Sequence, residues 1–349
     1  MAYTTINKST DYFNTKLYTG NGSTQAITGV GFQPDWVWLK DRTDGDNHQW
    51  YDVVRGVTKS LQCNTTNGEI TFSDGLTAFG TDGFTLGSND QHNGSSDNFA
   101  AWCWKGANAQ GSSNTNGTIN TTYTSVNTTA GFSISQYTGY ESGTQTVGHG
   151  LGVAPKLIII KQTSSNSLNF TMYHHELGAT RYFLMNSNAA AGTSSNYFGD
   201  TAPTSSVFSI GGNHNVNQNS QTFVAYCFAE KTGFSKFGKY TGNGNASGPF
   251  VYTGFKPAFI WVKVDANADS SKIWDSKRPG YNLVNNWLEA DDSQAEGTGS
   301  NQIDILSNGF KLRNSNTAGN KSGEAIYYMA FAEAPLVGSN NIPATAKYV

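Results

Sequence analysis

FQPDWVWLK (residues 32–40) returns twice more along the chain, as VAPKLIIIK (153–161) and FKPAFIWVK (255–263). In each copy a proline precedes an aromatic or aliphatic run that closes on a lysine. Both faces of Trp36-Val37-Trp38-Leu39 are apolar, and so are those of Leu157 to Ile160 and of Phe259-Ile260-Trp261-Val262. A strand with one wet face would alternate. The pattern predicts a central β-strand covered on both sides, with the closing lysine marking its exit into solvent.

Around this stretch two further anchors recur. A Tyr-Thr-Gly precedes each run, starting at Tyr18, Tyr137 and Tyr240, and a closing block follows as FAAWCWK (99–105), FVAYCFAE (223–230) and IYYMAFAE (326–333). From Tyr to Lys the copies measure 22, 24 and 23 residues, and from Lys to Cys103, Cys227 or Ala330 they measure 63, 66 and 67. Anchors in one order at nearly constant spacing define a repeat. An aromatic at Phe84, Phe208 and Phe310 keeps the register in between.

The spacing predicts an all-β chain of three tandem β-sandwich, jelly-roll-like modules: 1–105 with an N-terminal arm, 131–231 and 232–333, followed by a C-terminal tail, 334–349. Residues 106–130 hold no charged side chain and are rich in Asn, Thr, Ser and Gly. They read as a flexible or extended connector with one strand around Thr122 to Val126, which would leave the first module freer to reorient than the other two.

Composition agrees with the strand reading. Of 349 residues only 13% are charged, against roughly 25% in an ordinary globular protein. Abundant Asn, Ser and Thr compete with a helical backbone for hydrogen bonds, while β-branched and aromatic residues suit a pleated surface. A net charge of −3 offers no basic stripe for phosphates, which argues against nucleic acid as a partner. The N-terminus lacks the basic and apolar regions of a secretory signal, and the longest aliphatic run, Leu157 to Ile160, is far short of a bilayer span. The expectation is a chain made in the cytosol with no membrane insertion. Cys63, Cys103 and Cys227 are an odd number, with the last two at equivalent positions, so disulfides are not the stabilising device.

In the closing strands side-chain size alternates. Ala101 and Cys103 share one face and Trp102 and Trp104 the other, just as Ala225 and Cys227 oppose Tyr226 and Phe228. The large face needs a cover: a second sheet, a neighbouring module or another subunit.

Candidate sites are few. Asp44-Gly45-Asp46-Asn47-His48 and Asp265-Ala266-Asn267-Ala268-Asp269 alternate oxygen donors in the manner of a Ca²⁺ loop, but the twelfth position is Arg55 in one and Ser276 in the other, so they read first as solvated turns. Asp52 with Arg55 and Asp275 with Arg278 predict a recurrent ion pair that fixes a loop. The second copy replaces it with Tyr173-His174-His175-Glu176 and drops the arginine. Successive strand residues point to opposite faces, so these histidines do not read as converging metal ligands. The loop Gly211 to Asn215 reads as a turn, exposed enough to touch a receptor. Neither a nucleophile elbow nor a phosphate loop nor zinc spacing is present. No catalytic, cofactor-binding or metal residue is assigned, and no cofactor is implied.

YTGNGSTQAITG, FQPDWVWLKDRTD, GHGLGVAPKLIIIK, FVAYCFAEKTGFSKFGKYTGNG, YTGFKPAFIWVK, LSNGFKLR and YYMAFAEAPLV together resemble a family of marine bacteriophage structural proteins, over about Thr15 to Val337. The resemblance implies a place in the virion and a β-sandwich architecture. The expectation is a non-enzymatic tail-fibre or appendage protein of host adsorption, or alternatively a capsid decoration or head-fibre protein. Its expected partners are other virion proteins and further copies of itself, with a trimer the favoured state. A carbohydrate-binding array reading host surface glycans is the further alternative. A polysaccharide depolymerase is least favoured, because no pair of carboxylates recurs.

Overall fold

The computed structural model describes residues 3–164, 167–266 and 269–338. The chain is all-β, built of antiparallel sheets. Four strands of the first repeat form one sheet in the order opening strand Phe13–Thr19, closing strand Asn98–Trp104, central strand Trp36–Asp41 and outer strand Gln49–Asp52. The third repeat repeats that order with Ser235–Thr241, Ala325–Pro335, Phe255–Val264 and Lys272–Asp275. In the second, Phe132–Thr138, Thr222–Phe228, Leu157–Gln162 and Thr171–His174 form the middle of a seven-stranded sheet.

Register carries the repeat to the level of single residues. Trp36 lies opposite Trp104, Leu157 opposite Phe228, and Phe259 opposite Phe331. Smaller sheets lie against these: Gln25–Thr28 with Gly83–Leu86 and Leu76–Gly80, then Gln145–Gly148 with Val207–Ile210, then Phe250–Tyr252 with Gly309–Leu312, Gly297–Leu306 and Val284–Trp287. First strand pairs with last and second with second-last, the nesting of a jelly roll, but the rest is completed by hairpins.

Each Tyr-Thr-Gly has a physical task. The hydroxyls of Tyr18, Tyr137 and Tyr240 donate to the carbonyls of His92, Val216 and Gly319, each at 2.6 Å, tying the opening strand to a short helical turn. The glycine permits close approach of backbone. A Cβ on Gly20, Gly139 or Gly242 would sit 2.1–2.3 Å from a carbonyl oxygen of the segment after that turn.

The two faces of each main sheet go to different places. In the first repeat Val37, Leu39, Ala101 and Cys103 pack with Ile27, Phe84 and Leu86 of the small sheet. In the second, Ile158, Ile160, Ala225 and Cys227 pack with Val147, Phe208 and Ile210. The opposite, larger faces meet each other. Trp36, Trp38, Trp50, Trp102 and Trp104 share one continuous core with Leu157, Ile159, Tyr226 and Phe228 and with Phe259, Trp261, Met329 and Phe331. Aromatic contacts cross the repeats there: Trp36 to Phe228 at 5.8 Å, Phe228 to Phe331 at 5.8 Å, and Phe331 to Trp104 at 5.5 Å. Burying each such ring contributes on the order of 2–3 kcal/mol, which holds the repeats together as one body.

This corrects two expectations. The first repeat is not free to reorient, because its tryptophan face is part of the shared core. Nor is 106–130 a loose connector. The strand expected around Thr122 to Val126 is present as Thr121–Asn127, but it pairs with Phe132–Thr138 and becomes the edge of the second sheet. Before it, Gly106 donates its N–H to Asp35 at 2.6 Å and the Gln110 amide reaches the Val54 carbonyl at 2.7 Å. A third correction concerns the lysines: Lys40, Lys161 and Lys263 are fully buried. Of the expected tail 334–349, Ala334 and Pro335 belong to the last strand, and 339–349 lie outside the described residues.

Candidate functional site

Ionisable residues cluster where one repeat meets the next, and equivalent positions are used in rotation. At the junction of the second repeat with the first, Asp52 ends the outer strand and Arg55 turns back onto it. The Arg55 N–H and Nε donate to the two Asp52 carboxylate oxygens at 2.9 and 2.6 Å, and both side chains are completely buried. The Tyr226 hydroxyl of the second repeat adds a third hydrogen bond to Asp52 at 2.7 Å. Burial works against the Arg55 charge, but the charge of Asp52, together with Tyr226, Glu69 and the Asp52 hydrogen bond, outweighs it and raises the pKa. The anion is thus paired and saturated with donors, the condition for tolerating a buried charge.

The first repeat meets the third in the same way. Arg278 chelates Asp275 with N–H and Nε at 2.9 and 2.6 Å, and Trp102, equivalent to Tyr226, donates its indole N–H to Asp275 at 3.1 Å. Glu296 bridges onward, accepting from Arg278 at 3.0 Å and from Arg42 of the first repeat at 2.9 Å. Burial pushes the Glu296 carboxyl up, yet the Arg42 hydrogen bond and the Arg278 charge hold it below its usual range. His48 completes this junction, accepting from the Trp38 indole on Nδ1 and meeting the Glu289 carbonyl with Nε2, each at 2.8 Å. Burial drives its pKa well down, so it stays neutral.

The third repeat meets the second with a different set. His174 stands where Asp52 and Asp275 stand, Leu177 replaces the arginine, and Met329 replaces the Trp102 or Tyr226 donor. With Leu177 and Met329 in these places, an aspartate here would have neither the arginine nor the side-chain donor opposite. His174 instead accepts the Glu176 N–H on Nδ1 at 3.2 Å and directs Nε2 to the Tyr328 carbonyl at 3.3 Å. Burial lowers its pKa to about 3. Arg181 makes a two-pronged pair with Asp265 at 2.8 and 3.0 Å across the same junction.

The three lysines follow the rotation. Lys161 Nζ reaches the Thr66 carbonyl of the first repeat at 3.0 Å, and Lys263 Nζ reaches the Ser187 carbonyl of the second. Lys40 bonds the carbonyls of Asp41 and Asp44 and lies near Asp292 of the third. Desolvation lowers Lys161 to about 7 and Lys40 to about 8, the latter partly offset by Asp41.

Other sequence-predicted positions fall as follows. The His174 and His175 rings stack at 5.3 Å rather than pointing to opposite faces, since the strand ends at His174. Each spends its Nε2 on a backbone carbonyl, His175 on that of Phe237 at 2.8 Å. Asp265 is taken by Arg181 and the Ala191 N–H, and Asp269 by Lys321. Residues 267–268 between them lie outside the described residues. In the other candidate loop the Asn47 side chain bonds Gln62 and Asn64. His214 pairs with Glu141 at 2.7 Å, and Asn213 caps the following turn through the Asn215 N–H. The three cysteines are buried and unpaired with one another. Among the described residues no three His, Cys, Asp or Glu side chains group as metal ligands.

Sequence reasoning found the Asp–Arg pairs but missed what they contact. The signal was the parallel change of two blocks, Asp and Arg to His and Leu together with Trp or Tyr to Met.

A family model described as a domain of unknown function, DUF7483, matches residues 8–335. The chain belongs to the DUF7483 family. That match runs through all three repeats, so the DUF7483 unit is the whole closed body and not a single repeat. No curated protein matches the chain.

Proposed function

We propose that this DUF7483 chain is a non-enzymatic structural component of a bacteriophage particle, serving as a fibre or appendage of the adsorption apparatus. The observation that carries the reading is the use made of its buried ionisable groups. Asp52, Asp275, His174, Lys161 and Lys263 are spent on joining repeats. Three main sheets close on one core, and among the described residues their large faces are covered by one another. The resemblance of the repeated blocks to phage structural proteins supplies the particle.

The closed packing also favours the second reading, a capsid decoration or head-fibre protein. A fibre gains length from modules strung end to end, whereas these three turn inward on each other and give a compact block suited to sitting on a shell. In either reading, self-association into a trimer would use outer surfaces, because the large apolar faces are already covered within the chain.

Labelled antibody on purified particles, with heads and tails separated, tests both. Label on tails supports the appendage reading, and label on heads supports decoration. Particles that carry none of the chain overturn the proposal.

A further inference from the structure

Because three copies of one scaffold lie side by side, residues that depart from the repeat show what the scaffold does not require. Departures from two repeats converge on one open groove of about 550 Å³ between the second and the third, within the usual range of ligand sites.

One wall is the strand Phe250–Tyr252. Pairing places Phe250 level with Ala26 and Thr146, and Tyr252 level with Thr28 and Gly148. Small or polar residues therefore suffice at these outward positions, yet here two aromatic rings stand 46% and 50% exposed. Neither ring is needed for the core, whose contact at this strand is the intervening, buried Val251. The facing wall is His175 and Glu176, where the first repeat has Val53 and Val54 and the third Ser276 and Lys277. Lys236, Lys239 and Glu230 line the groove as well, with Lys239 3.5 Å from Glu176 and Glu230 accepting the Phe237 N–H at 3.3 Å. At the repeat-related position on the second repeat, the edge of the opening strand is filled by Thr121–Asn127. Along Ser235–Thr241 it lines the groove.

We infer that this groove is a binding site for a neutral, pyranose-based oligosaccharide. A sugar presents an apolar C–H face and a rim of hydroxyls. Exposed Phe and Tyr rings offer platforms for the former, and the carboxylates of Glu176 and Glu230 with the Lys239 ammonium offer acceptors and donors for the latter. Two lysines and two glutamates stand together in the groove, which suits a ligand bearing many hydroxyls and no charge. The inference goes beyond the particle assignment and does not rest on it, since the isolated chain is sufficient to test it.

The test is an array of neutral oligosaccharides of glucose, N-acetylglucosamine, galactose, mannose and fucose, probed with the full chain and with Phe250→Ala/Tyr252→Thr. That variant carries the residues the first repeat uses at the same positions, so it should fold, with an unchanged denaturation midpoint as the check. The expected result is binding of at least one neutral oligosaccharide, weakened about tenfold or more in the variant. Glu176→Gln should weaken the same ligand while leaving the rings in place. No binding by the wild-type chain, or binding that survives in the ring variant, overturns the site. Binding confined to sialylated controls overturns the neutral class.

Discussion

The Tyr226 hydroxyl donates to Asp52 at 2.7 Å across 174 residues of sequence, and neither group is exposed to solvent. The same contact made by Trp102 to Asp275 joins a different pair of repeats, so the bond belongs to the rotation of the fold and not to one local accident.

Breaking this junction one member at a time should grade its loss. Tyr226→Phe removes one hydrogen bond to a charged acceptor and costs about 1.5–3 kcal/mol. Arg55→Leu leaves a buried carboxylate without its cation and costs about 3–5 kcal/mol. The triple variant Asp52→His/Arg55→Leu/Tyr226→Met installs the set used between the third and second repeats. It should recover at least half of the Arg55→Leu loss in urea unfolding. A triple variant less stable than Arg55→Leu alone would show that the two sets are not interchangeable solutions.

Unfolding should be a single cooperative transition, because one core contains the large faces of all repeats. Calorimetric and van't Hoff enthalpies are expected to agree. A fragment of residues 1–105 should fail to reach a native state, since Trp36, Trp38, Trp50, Trp102 and Trp104 would face water, and should bind a hydrophobic dye. Separate transitions for the repeats, or a monomeric, dye-silent fragment, would contradict the shared core.

Stability should rise with pH just above neutrality. Burial lowers Lys161 from 10.5 to about 7 in the folded chain, so between those values the unfolded chain binds a proton that the folded chain does not. Stability from this group is therefore gained as pH rises through the window and lost as pH falls toward 7, by at most about 1.4 kcal/mol per pH unit. Lys40, lowered to about 8, acts with the same sign over a narrower range. The urea midpoint should be higher at about pH 8.5 than at about pH 7, before the thiols of Cys63, Cys103 and Cys227, pushed up by burial, begin to act with the opposite sign, and Lys161→Met should flatten the difference. Identical slopes in wild type and variant would remove Lys161 as the cause.

Hydrogen exchange should distinguish a folded edge from a flexible connector. Alternate amides of Thr121–Asn127, paired with Phe132–Thr138, are expected to exchange orders of magnitude more slowly than an open loop. Uniformly fast exchange from 106 to 130 would restore the connector reading.

Much of the fold was legible because strand periodicity is local. Alternation in Ala101-Trp102-Cys103-Trp104 gives the small and large faces directly, and the anchor spacing gives the repeat. The Asp–Arg pairs were legible for the same reason, three residues apart at a strand end. A lysine after an apolar run ordinarily surfaces; burial is tolerable here because carbonyls meet each ammonium, from a neighbouring repeat at Thr66 or Ser187 for Lys161 and Lys263 and from Asp41 and Asp44 of its own repeat for Lys40. Within 106–130 the strand around Thr122 to Val126 was legible but its partner was not, because an uncharged, Thr-rich strand at a sheet edge has the composition of a linker. The groove was invisible, since Phe250 and Glu176 come from different repeats and are brought together only by their packing.

By itself, then, the sequence determined the strands, their two faces and the threefold recurrence, because these follow from side-chain size and period along a few residues. It did not determine what covers the large faces. A second sheet, another subunit or a sister repeat would satisfy the same hydrophobic demand equally well. Tertiary structure chose the sister repeats. Once Trp36, Phe228 and Phe331 met, Asp52 found Tyr226, the lysines lost their water, and an open groove was left between the second and third repeats.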